Sequence, residues 1–87
     1  MIVPHLLILL ILGPWSLDLV QAQPTLRTLI NEAMDECQLG RLAQERGSRL
    51  AHFEKGQRLG EQAVSLDDRS PDAHFALFCN LGELMRL

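Results

Sequence analysis

The sequence predicts an all-α chain: a helical hairpin plus one further helix. Three observations lead there. After position 23 the apolar residues recur at intervals of three and four, the period of a helix that buries one face. No segment alternates apolar and polar residues with the period of two that a half-buried strand needs. Asp67-Asp68-Arg69-Ser70-Pro71 interrupts the pattern with a polar turn, and its Ser-Pro pair suits the opening of a helix.

The first of the expected helices opens at Pro24-Thr25, with Thr25 as N-cap. Leu26, Leu29, Ile30, Ala33, Met34 and Cys37 form its buried stripe, leaving Arg27, Asn31, Glu32, Asp35 and Glu36 outside. It ends at Leu39-Gly40 or runs through to Ala43. Gly40 and Gly47 read as the breakers of a turn lying between Leu39 and Ser48. Ser48 then caps a second helix from about Arg49 to Leu66, whose buried stripe is Leu50, Phe53, Gly56 or Gln57, Gly60, Ala63 and Val64. A glycine inside a helix costs about 1 kcal/mol relative to alanine. Two of them on the buried side predict that a neighbouring helix comes close. In the third helix Ser70 is the N-cap, Pro71 takes the first helical position and Asp72 faces the positive end of the helix dipole. Ala73, Leu77, Phe78, Leu81, Leu84 and Met85 are its expected buried stripe, with Asn80 and Glu83 exposed.

Ahead of these helices, residues 1–22 read as a secretory signal peptide. Leu6 to Leu12 is an unbroken apolar run stopped by Gly13-Pro14, and Val20-Gln21-Ala22 places small residues at positions −3 and −1 of a cleavage site between Ala22 and Gln23. The n-region departs from the usual pattern in having no Lys or Arg. A membrane span is the alternative. The apolar run covers only ~10 Å against a hydrocarbon core of ~30 Å, and extending it to Val20 buries Asp18. The expectation is an exported chain, periplasmic or secreted, that meets a membrane only if this segment stays attached.

The 87 residues allow one small domain. Their net charge is −3, one unit less negative once Asp18 is removed, so no electrostatic footprint for nucleic acid or anionic lipid exists.

The stretch from Leu50 to Leu81 resembles a tetratricopeptide repeat, in which paired helices stack at a period of ~34 residues. Gly56 and Ala63 match small positions seven apart, and Leu66-Asp67-Asp68 matches the family's Leu-Asp-Pro ending with Asp68 in place of proline. Ala73, His74, Leu77 and Leu81 fall on the small, aromatic, leucine and aromatic positions of the next first helix. Phe78 departs from the pattern by standing where a glycine is usual. The resemblance implies an α-solenoid fragment over residues 23–87, about one repeat plus the first helix of the next. Its packing residues would be Gly56, Gly60, Ala63, Ala73, Leu77 and Leu81. It also implies a non-catalytic protein–protein interaction module that holds a protein or peptide partner, or associates with itself. The combination is similar to exported bacterial proteins with divergent repeats, including relatives of the regulator of microtubule dynamics family. Because each hairpin leaves an apolar face for a neighbour to cover, the chain is expected to belong to a longer array or to complete its core by self-association.

No catalytic, cofactor-binding or metal-binding residue is predicted. His52 and His74 have no ligand spacing with each other or with a cysteine, and no Gly-rich phosphate loop occurs. Asp35-Glu36 and Asp67-Asp68 read as a solvated helix face and a turn. Cys37 and Cys79 lack a CxxC partner. Both fall on apolar helix faces, where the preferred reading is two small buried hydrophobes, although an exported chain also permits a disulfide between them.

Overall fold

The computed structural model describes residues 23–87, and Ala22 with the apolar run before it lies outside them. Three helices follow one another: α1 (Leu26–Leu42), α2 (Arg46–Leu66) and α3 (Pro71–Arg86). The described residues contain no strand, and each helix packs on the other two.

Local chemistry sets the boundaries. At the start of α1, Thr25 Oγ1 accepts the Thr28 N–H at 3.2 Å while Thr28 Oγ1 accepts the Thr25 N–H at 3.1 Å. This reciprocal capping satisfies two backbone donors at the helix start. At α3, Ser70 Oγ accepts the Ala73 N–H at 3.2 Å, Pro71 opens the helix and Asp72 sits in its first turn, as the sequence predicts. The turn between α2 and α3 closes on itself. Asp67 Oδ1 accepts the Arg69 N–H at 3.0 Å, and the Asp68 carbonyl lies 2.7 Å from His74 Nε2.

At the turn between α1 and α2 the first helix takes the longer of its two expected courses, ending at Leu42 with Ala43 as C-cap, but the glycines and Ser48 do not play their expected parts. Neither Gly40 nor Gly47 breaks a helix: α1 runs through Gly40 to Leu42, and α2 begins at Arg46, so only residues 43–45 connect them. Glu45 holds the N-cap position without a side-chain hydrogen bond, and Ser48 lies inside the helix. Gly40 is buried because the Phe53 ring packs directly on it, in the space a Cβ would fill. That packing holds the last turn of α1 against α2. Gly47 sits in the first turn of α2, facing open space.

The core is built from small residues. Leu29, Ile30 and Ala33 of α1 meet Ala63 of α2 and Ala73 and Ala76 of α3, with Leu26, Met34, Leu59 and Val64 around the edge. The close approach predicted at Gly56 and Gly60 is present: a Cβ on Gly60 would lie 2.8 Å from the Leu77 Cα, and one on Gly56 would overlap the Asn80 side chain.

This approach corrects the expected orientation of α3. Its buried residues are Ala73, Ala76, Asn80 and Glu83, again a 3, 4, 3 spacing, but on a different face. Leu77, Leu81 and Leu84 are half-buried, whereas Phe78 and Met85 are 65% and 88% exposed. A helix lying this near to Gly60 meets it with the Leu77 backbone and Cβ, and the Leu77 side chain is only half-buried. The helix turns its alanines inward and leaves the larger side chains at the rim or in solvent.

The two kinds of glycine therefore predict opposite mutational signs. Gly60→Ala gains about 1 kcal/mol of helix propensity but meets backbone, and overpacking of this kind costs about 1–3 kcal/mol. Net destabilisation is expected in urea titrations. Gly47→Ala meets nothing within 4 Å and should stabilise by roughly 0.5–1 kcal/mol.

Candidate functional site

Most of the polar chemistry in the described residues braces α3. Asn80 is fully buried. Its Nδ2 donates to the Ala33 carbonyl of α1 at 2.9 Å and to the Ala76 carbonyl one turn back at 3.0 Å. Its side chain lies against Gly56 of α2, so one amide touches all three helices, and its Oδ1 has no protein donor.

One turn further on, Glu83 is also buried. Its carboxylate accepts from Arg41 Nε at 2.5 Å and lies 3.5 Å from Arg86 Nη1. The Arg41 hydrogen bond, aided by the charges of Arg41, Arg86 and Arg49, holds the carboxyl below its usual pKa against the opposing effect of burial. Asn80 and Glu83 were expected on the exposed face of α3. Both instead belong to the inner face, because the turn of α3 that accommodates Gly60 carries them in with the alanines.

Immediately before Asn80 in sequence, Cys79 forms a disulfide with Cys37 of α1, with a Cα–Cα distance of 6.1 Å. This overturns the preferred reading of two free buried thiols. The same orientation of α3 that buries Ala76 and Asn80 brings Cys79 against α1. A separate pair joins α1 to α2: His52 Nδ1 is 2.8 Å from Glu36 Oε1, and Lys55 lies 3.8 Å from Oε2. Glu36, expected on the solvated face, has a side chain only 12% exposed. The short connection at residues 43–45 draws α2 over it.

Of the six residues predicted to pack, Gly56, Gly60, Ala63 and Ala73 are buried, while Leu77 and Leu81 are half-buried. Gly60 and Leu77 meet directly. Of the predicted cleavage pair, Gln23 is exposed at the start of the described chain and Ala22 lies outside it. No group of three His, Cys, Asp or Glu side chains converges among the described residues.

What remains accessible is an apolar surface. Phe75, Phe78 and Met85 stand largely in solvent on the free side of α3. Phe78 and Gly82 also line a small cleft of about 110 Å³ with Arg41, Glu83 and Arg86. At the other end of the molecule, Pro24, Leu29, Arg58 and Leu66 border an open groove of about 550 Å³. No protein-family model matches the chain, and no curated protein or solved structure matches it significantly.

Two predictions follow from the bracing. Because the folded-state pKa of Glu83 is depressed, its contribution is present above the ordinary value of 4.5 and is lost as pH falls through the lower folded value. Glu83→Gln should therefore melt below the wild type at pH 7, and the gap should narrow progressively below about pH 4.5. Replacing both cysteines by alanine opens a loop of sequence separation 42. It should cost about 3–4 kcal/mol in denaturant titrations.

Proposed function

We propose that the chain is a non-catalytic protein–protein interaction module of the tetratricopeptide type, exported after removal of residues 1–22. The observation that carries this reading is the division of α3 into two faces. Small and polar residues dock it on the hairpin, while Phe75, Phe78 and Met85 stay in solvent. Exposed apolar patches of this kind mark interaction surfaces. The Cys37–Cys79 disulfide suits an oxidising compartment. Among the described residues no helix is long and apolar enough to cross a membrane.

The binding surface in this reading is the outer face of α3. Its occupant is a protein or peptide, or a second copy of the chain. A photo-crosslinking residue substituted at Phe78 should yield a discrete adduct in the secreting cell, and the same residue at exposed Gln44 should not. Equal labelling from both positions would count against the reading.

Export has its own test. N-terminal sequencing of the secreted product should begin at Gln23. An intact Met1 would favour a membrane-anchored structural component instead.

A further inference from the structure

We infer that the outer face of α3 is a self-complementary surface on which two copies of the chain pair antiparallel about a two-fold axis. This rests on the interaction-module reading and names its partner. Phe75, Phe78, Gly82 and Met85 follow a 3, 4, 3 spacing, one stripe on a helix of 3.6 residues per turn. Phe75, Phe78 and Met85 are 64%, 65% and 88% exposed. A Cβ placed on Gly82 would meet no atom within 4 Å, so Gly82 forms an unfilled notch in the middle of the stripe.

The register of the four residues is symmetric about position 80. In an antiparallel pair centred there, Phe75 of one copy lies opposite Met85 of the other, and Phe78 lies opposite Gly82. Each copy thus sets a large side chain against the other's notch. An isologous two-fold interface requires this reciprocity: if residue i meets j, then j meets i.

Charge agrees with the same pairing. Asp72 opens α3 and Arg86 closes it. Both lie on the flank of the stripe that faces α1, since Asp72 is 3.5 Å from Arg27 and Arg86 is 3.5 Å from Glu83, which bonds Arg41. Residues on the same flank of antiparallel helices face each other. Asp72 of each copy therefore comes beside Arg86 of the other, giving two symmetric opposite-charge contacts. The helix dipoles oppose one another as well. A parallel arrangement would set Phe78 against Phe78 and bring like charges together at both ends.

A single pair of helices of this length buries less than the ~1,200–2,000 Å² of a standard stable interface. The expected dissociation constant is on the order of 10 µM, weak and concentration-dependent. Sedimentation velocity of the protein from an oxidising secretion host, from micromolar to near-millimolar concentration, should show reversible monomer–dimer exchange. Gly82→Leu fills the notch from a Cβ that meets no atom within 4 Å in its own fold. It should raise the dissociation constant at least tenfold and leave the melting of the dilute monomer unlowered.

Asp72→Arg and Arg86→Asp should each weaken homodimers, because each places like charges opposite one another. An equimolar mixture of the two variants restores opposite charges at both contacts and should recover dimer, which damage to the fold would not do. A wild type that stays monomeric throughout, a dimer indifferent to Gly82→Leu, or a mixture that fails to recover would overturn the proposal. Crosslinks from position 78 to a different protein, without dimer, would sink this inference and leave the interaction-module reading standing. No dimer and no selective crosslink would sink both.

Discussion

The contact between α2 and α3 is the constraint on which the rest of the molecule depends. Gly60 has no side chain, so the Leu77 backbone can lie where a Cβ would otherwise stand. Once the two helices are this close, Ala63, Ala73 and Ala76 fill the core beside the contact. The orientation of α3 about its own axis follows, and with it the position of every other side chain on the helix. Asn80 then meets Gly56 and reaches the Ala33 carbonyl, Cys79 meets Cys37, and Glu83 meets Arg41. Phe75 and Phe78 of α3 are left outside as a consequence of what had to be inside.

Three cross-links to α1, made by Cys79, Asn80 and Glu83 of α3, differ in physical kind. The Asn80 amide supplies directional hydrogen bonds, which specify register more than they add stability. The disulfide acts mainly by restricting the unfolded chain. Glu83 with Arg41 is a charged contact at the edge of the core, where partial burial strengthens the interaction but also penalises the charges. A chain of this size draws little net stability from hydrophobic burial alone. Placing all three between residues 79 and 83 of one helix concentrates the reinforcement where α3 meets the hairpin through alanine and glycine.

The sequence was readable where the chemistry is local. Thr25 and Ser70-Pro71 mark helix starts through hydrogen bonds to residues three positions away, and Gly56 and Gly60 announce a close neighbour by occupying costly positions. It misled where the choice depended on another helix. Phe78, Leu81, Leu84 and Met85 make the more apolar stripe on α3, yet packing space selected the less apolar face of Ala73, Ala76, Asn80 and Glu83. The disulfide was hidden for the same reason, since Cys79 points toward α1 only in that orientation. Gly47 resembled a breaker because nothing in its neighbours reveals that Gly40 and Phe53 pull the two helices together.

The disulfide also alters the connectivity of the molecule. Joining Cys37 to Cys79 closes a covalent ring that contains all of α2 and both interhelical turns. A single peptide-bond cut at residues 43–45 or 67–70, the most exposed backbone between the helices, would not separate the chain into two molecules. Its halves would stay attached through sulfur, with the cut ends held beside each other by the packing of α2. A protein tied in this way can be nicked once by a protease and still keep its three helices in one particle.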